Sequence, residues 1–148
     1  MVTHKAAGNS SKPKSSKSSR SQTGPHAGIF WAFLKETEQK SESDRIVAIR
    51  NGLSIMLPVG LSDALKINFS TVAKLLNTSR STLERRMKSS APLDCIGSER
   101  LDRIAQIVSM VENGLVSREE TSQWLVRAHP ALAQQAPISL CDTEIGAS

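Results

Sequence analysis

The chain has 148 residues, 39% of them hydrophobic, with five aromatic residues and no tyrosine; that is room for one domain of ordinary size or two very small ones, cored by Leu, Ile, Val and Ala rather than by rings. Its net charge of +5 belongs to one end: residues 1–27 hold Lys5, Lys12, Lys14, Lys17 and Arg20 and no acid, and the remainder balances at 14 basic and 14 acidic residues. Cys95, Cys141 and the scattered His4, His26 and His129 have no zinc spacing, no apolar run approaches the ~20 residues of a membrane span, and the basic start lacks the apolar core of a secretory signal. The expectation is a cytoplasmic protein with free thiols, no metal, no cofactor and no membrane partner.

Residues 1–27 are rich in Ser, Lys and Gly, with two prolines. They cannot bury enough apolar surface to offset chain entropy and are expected to be disordered. Such a segment is either a solubilising tail, the reading favoured in the absence of a motif, or a basic arm that grips phosphates. Residues 28–40, GIFWAFLKETEQK, make a helix with a bulky apolar first half, able to pack on the core or on a second subunit. Ser43 is the expected N-cap of a short helix that stops at Asn51–Gly52. Pro58 and Gly60 then imply a break, with a further helix at about 59–66.

The stretch STVAKLLNTSRSTLERR, residues 70–86, reads as two short helices around a polar turn. Val72, Leu75 and Leu76 fall at i, i+3, i+4. Asn77-Thr78-Ser79 is turn chemistry, and Ser79 caps the next helix, with Ser81-x-x-Glu84 as an alternative capping box. Leu83 and Met87 are expected to face inward, and Ala91–Pro92 ends the run. Ser98 is a cap candidate before the stripe Leu101, Ile104, Ala105, Val108, Val111, which stops at Asn113–Gly114. Ser117-x-x-Glu120 opens a last helix with Trp124 and Leu125 on its apolar side, closed by His129–Pro130. A Trp in such a helix is most often core, with an exposed partner anchor as the alternative. Sustained β alternation is absent, so the fold class is all-α: a small helical bundle containing a helix-turn-helix.

In a helix-turn-helix the second helix lies in the major groove and needs long donors for guanine edges and phosphates. Residues 66–88 supply Lys66, Lys74, Arg80, Arg85, Arg86 and Lys88 against a single acid, Glu84. Turn, spacing and local charge agree on DNA binding, although a charged helix is often just a solvated face. Arg80, Ser81 and Thr82, near the helix start, are the expected base readers; Arg85, Arg86 and Lys88 are the expected phosphate contacts. Enzymatic residues are not evident: there is no glycine-rich phosphate loop and no supported Ser–His–Asp set, and Glu119–Glu120 sit at a helix start where acids are favoured by the dipole alone.

Several strings point further. The Gly52–Leu53 entry, VAKLLNTSRSTLERRM, SERLDRIAQIV, Trp124–Leu125, His129–Pro130–Ala131–Leu132, Pro137–Ile138–Ser139–Leu140 and Thr143–Glu144–Ile145–Gly146 follow one another over about residues 45–148. In that order they resemble the Xre/MbcA/ParS antitoxin family. After the basic tail that composition gives at 1–27, the resemblance implies an Xre-like helix-turn-helix region at 28–96 and a toxin-binding domain at 97–148. It implies an antitoxin of a type II toxin–antitoxin system that neutralises a RES-domain, NAD-consuming toxin, represses its own operon and forms a homodimer. Its toxin-binding residues would be Leu132, Pro137, Ile138, Leu140, Thr143, Glu144 and Gly146. The family has Asn where His129 stands, and it usually continues past Gly146 with another amphipathic helix, so a shortened toxin-binding module is expected. From composition alone, 131–148 is either loosely ordered or ordered by a partner. The rival functions are a stand-alone helix-turn-helix transcriptional regulator and, behind it, a helical adaptor that binds only protein.

Overall fold

The computed structural model describes residues 24–115 and 117–142, and among these every regular element is helical. The helices are α1 (Ala27–Gln39), α2 (Glu42–Asn51), α3 (Met56–Leu65), α4 (Phe69–Leu75), α5 (Arg80–Ser89), α6 (Cys95–Gly114) and α7 (Arg118–Val126), followed by 3-10 turns at Pro130–Leu132 and Pro137–Asp142. The expected tail at 1–27 lies outside the described residues up to residue 23. Its last four residues are not tail: they turn into the start of α1, and the His26 N–H donates to Asp63 Oδ2 at 2.8 Å.

One apolar core runs through all of this. α1 buries Phe30, Trp31, Phe33 and Leu34 against α3 and α6, so the bulky apolar half of 28–40 packs on the chain's own core. Phe30 and Trp31 meet edge to face at 5.8 Å between centroids, and Arg118 stacks over Trp31 at 5.1 Å. Pro58 and Gly60 do not break the chain; both lie inside α3. Pro58 occupies the first turn, where its missing N–H has no intrahelical acceptor to lose. Gly60 is where α1 crosses: a Cβ there would stand 2.9 Å from the His26 carbonyl oxygen, so only glycine permits the approach.

Helix boundaries are set by side-chain caps on five of the seven helices: Ser41, Asn68, Ser79, Asp94 and Ser117 each accept a bond from a first-turn N–H. Each such cap is worth about 0.5–2 kcal/mol. Two differ from the sequence expectation. Ser41, not Ser43, caps α2. Asp94, not Ser98, caps α6, because Asp94 Oδ1 lies 2.7 Å from the Gly97 N–H. Ser98 is fully buried one turn into α6 and accepts the Leu53 N–H at 2.9 Å. Beside it, the Leu93 N–H donates to the Leu53 carbonyl at 2.9 Å. Gly52, at φ 92°, turns the chain out of α2 and into this pairing; a Cβ there would come within 2.7 Å of the Leu93 oxygen.

α6 is the spine. The stripe Leu101, Ile104, Ala105 and Val108 is buried as its spacing predicts, with Val111 packed at the margin. Across α2 and α6, the Arg45 guanidinium holds Asp102 through Nη2 and Nε (2.6 and 3.3 Å), and Gln106 donates to the same carboxylate at 2.8 Å. Across α1 and α6, the Ser109 hydroxyl donates to Glu38, a bond that holds the Glu38 carboxyl below its usual range, with Lys35 adding to the effect. The residue-96/97 boundary expected between domains falls within the first turn of α6.

Removing the Ser98 hydroxyl strands the Leu53 N–H in the core. Ser98→Ala is expected to lower unfolding stability by about 1–3 kcal/mol, the cost of an unsatisfied buried donor, read from the urea midpoint. A midpoint unchanged from the parent would remove this bond from the account.

Candidate functional site

The helix-turn-helix is α4, the turn Leu76–Ser79 and α5. Asn68 ends the link from α3 and caps α4, its Oδ1 accepting the Thr71 N–H at 2.8 Å. Val72, Ala73, Leu75 and Leu76 are buried. Asn77 then takes φ 60°, a left-handed conformation that Asn tolerates better than most residues, and the Thr78 N–H returns to the Ala73 carbonyl at 2.9 Å. Ser79 caps α5 as expected, accepting the Thr82 N–H at 3.1 Å, and the rival box at Ser81 is not used. One buried residue, Leu83, fixes which way α5 faces. Met87 does not join it inside; it sits at the surface over a groove shared with Val59, Phe69 and Arg80.

At 100° per residue, the direction opposite Leu83 is held by Ser81, Arg85 and Lys88, with Glu84 and Thr82 at its edges. Ser81, Arg85 and Lys88 are all exposed, and the Arg85 and Lys88 side chains bond to nothing else among the described residues. The other expected contacts are partly occupied. Arg80 is exposed but pairs with Glu84 at 3.0 Å, an i,i+4 bond of the kind worth only a few tenths of a kcal/mol. Thr82 is half-buried, its hydroxyl accepting from Ser79 at 2.9 Å. Arg86 turns away from that face and donates to the Pro92 carbonyl at 2.5 Å, tying the end of α5 to the following loop. Lys66, counted in the basic cluster, is held by Glu119 of α7 at 3.0 Å; that bond keeps the Glu119 carboxyl below its usual range.

The C-terminal residues divide differently from their sequence reading. Ile138 is buried with Cys141 in the chain's own core, where the last 3-10 turn packs on α4, α6 and α7. Leu132, Pro137 and Leu140 are half-buried. Thr143, Glu144 and Gly146 lie outside the described residues. Trp124, expected in the core, is 40% exposed while its neighbour Leu125 is fully buried. Its indole lies 5.1 Å from the His129 ring, and His129 Nε2 is 3.0 Å from the Trp124 carbonyl oxygen. Leu115, Gln123 and Arg127 flank it around a shallow depression. The sequence signal was the helical wheel: Leu125 and Thr121 share the inward face, and Trp124 stands 100° away from Leu125.

A second apolar surface was not anticipated. α2 contains Ile46, Val47, Ala48 and Ile49 yet buries no residue. Ile46 and Val47 are 44% and 56% exposed, and Ile96 on the first turn of α6, also 56% exposed, faces the same shallow groove as Ile46, Arg50 and Glu99. Among the described residues there is no cluster of three His, Cys, Asp or Glu side chains placed to hold a metal ion, and no helix is long and apolar enough to cross a membrane.

Residues 44–106, spanning α2 to the middle of α6, match the family model of the antitoxin Xre-like helix-turn-helix domain. Over 121 residues, 76% of each chain, the protein is 28% identical to a protein of Sphingobium sp. (strain YBL2) called Prs ADP-ribosylating antitoxin. The family match covers the Gly52–Leu53 entry, the whole of α4-turn-α5 and both partners of the Leu53–Ser98 bond.

Proposed function

We propose, from the match to the antitoxin Xre-like helix-turn-helix model and the likeness to an antitoxin, that this chain is the antitoxin of a type II toxin–antitoxin pair, acting in the cytoplasm as a binding protein rather than an enzyme. It binds operator DNA through the outward face of α5 and represses its own operon. The observation that carries the DNA half of this reading is that Arg85 and Lys88, which have no partner among the described residues, stand beside Ser81 on the one face of α5 turned away from Leu83. Ser81, near the helix start with Arg80 and Thr82, is placed to read bases; Arg85 and Lys88 neutralise phosphates. Arg86 is set aside as a phosphate contact because its guanidinium already braces Pro92.

A helix-turn-helix protein reads two half-sites by presenting two copies of its recognition helix. The uncovered aliphatic face of α2, with Ile96, supports a homodimer built there: Arg50 and Glu99 on its rim are of opposite sign, so a two-fold copy can set each against the other. The toxin partner is a RES-domain, NAD-consuming enzyme. The ADP-ribosylation in the relative's name supports that chemistry, because ADP-ribose transfer spends NAD. Residues 97–148 are the toxin-binding part, with Trp124 the added anchor beside Leu132, Pro137 and Leu140, and with Thr143, Glu144 and Gly146 beyond them. An exposed Trp held by a neighbouring ring is the kind of side chain that dominates a protein interface.

Arg85→Ala with Lys88→Ala is expected to weaken operator binding and to flatten the dependence of log Kd on log salt by about 1.8, two phosphate contacts' worth. A slope equal to the parent's would take both residues off the DNA. Val47→Glu is expected to turn a sedimenting dimer into a monomer; a dimer that survives the change would place the self-contact elsewhere.

A further inference from the structure

We propose that Glu84 is a positioning residue for sequence reading: it holds the Arg80 guanidinium at the start of α5 by one edge and leaves the other edge for a guanine. The inference rests on the DNA-binding reading above and deepens it, naming the base taken at this end of α5 and the residue that sets the preference. Three observations carry it. The first is how the two side chains meet. Arg80 is the first residue of α5, at the end of a recognition helix that meets base edges. Its Nε–H donates to Glu84 Oε2 at 3.0 Å, and its terminal Nη groups donate to nothing among the described residues. The bond therefore occupies one edge of the guanidinium and leaves the Nη1/Nη2 fork, which can meet O6 and N7 of a guanine together.

The second is what else could hold either partner. Arg80 and Glu84 wall a groove with Met87, opposite Val59, Asp63 and Phe69. Asp63 is the other carboxylate on that groove, and His26 takes it: the His26 N–H donates to Asp63 Oδ2 at 2.8 Å, and its ring Nδ1 lies 3.3 Å from the same oxygen. Glu84 in turn has Lys88 one turn on, in the Glu-then-Lys order that isolated helices favour, yet its carboxylate lies back on Arg80. Arg80, Glu84 and Lys88 form one row along α5, each about 40° round from the last, which leads from the groove edge into the face opposite Leu83.

The third is that folding does not account for an acid here. Both side chains are half exposed (56% and 49%), and a surface pair of this kind adds little to stability. Glu84 is also the single acid between residues 66 and 88, and it lies at the edge of the face assigned to phosphates, where a negative charge weakens binding to every sequence alike. What the carboxylate supplies is orientation. An arginine already held at Nε has less side-chain freedom to lose when it docks on a base.

The test is selection from a pool of random-sequence duplexes, read by sequencing, with the full parent chain and with Arg80→Ala, Glu84→Ala and Glu84→Gln. The parent is expected to select a motif containing a guanine that Arg80→Ala no longer selects, the preference falling about tenfold or more. Glu84→Ala is expected to lose that same guanine, to keep the rest of the motif, and to bind an unselected duplex at least as tightly as the parent does. Glu84→Gln, whose amide oxygen can still accept from Nε, is expected to keep the larger part of the preference. A Glu84→Ala chain with the parent's guanine preference overturns the positioning role. So does a uniform weakening on all duplexes, which marks a merely structural residue. A parent motif with no guanine that depends on Arg80 overturns the base assignment. In these cases the α5 reading stands, because Arg85→Ala with Lys88→Ala still has its own effect on the salt slope; a parent that binds no duplex overturns both.

Discussion

The fold is closed at its base by two hydrogen bonds on one residue. Leu53 donates its N–H to the Ser98 hydroxyl and accepts the Leu93 N–H at its carbonyl. Between them these bonds pin the entrance to α3 against the exit from α5. Everything from residue 54 to residue 92, including the whole helix-turn-helix, is therefore a loop with its ends joined, and α6 starts from the joint. The left-handed turn at Gly52 exists to deliver Leu53 to this point, and the Arg86–Pro92 bond reinforces its far side. A buried backbone N–H without Ser98 would cost more than most surface interactions in this chain contribute.

Given that joint, the positions of the surfaces follow. α6 runs outward from it and collects α1 through Glu38–Ser109, α2 through Arg45–Asp102 and α7 through Arg118–Glu112. α5 is left with a single buried side chain, which is little for packing but leaves a polar face unobstructed. The basic count in residues 66–88 overstates what is available there. Lys66 ties α3 to α7, Arg86 braces a loop, and Arg80 leans on Glu84, so among the described residues the cations of α5 without a partner are Arg85 and Lys88. A local charge count registers residues; only geometry tells structural arginines from free ones.

Much of this was legible in the sequence, because it follows from local chemistry. Ser79, Ser117, Gly52 and the stripe on α6 are read from spacing and backbone preference alone, and each behaves accordingly. The misreadings share a cause: residues whose role depends on something distant in the chain. Gly60 looks like a breaker until α1 crosses over it. Ser98 looks like a cap until Leu53 arrives from 45 residues away. Ile138 looks like a spare apolar residue until the last turn folds back on α4, α6 and α7. Trp124 and Met87 err the other way, as large apolar side chains in short helices whose inward face was already taken by Leu125 and Leu83.

Two parts of the fold divide the proposed labour: α5 for DNA, and the α7 region with Trp124 for the toxin. The most direct test of the central claim is to co-express the full chain with the enzyme encoded beside it and to follow cellular NAD and co-purification together. The antitoxin account expects a stable complex and restored NAD, with Trp124→Ala weakening both while leaving DNA binding untouched. No complex, with NAD still depleted, would contradict it and leave a helix-turn-helix regulator without a toxin.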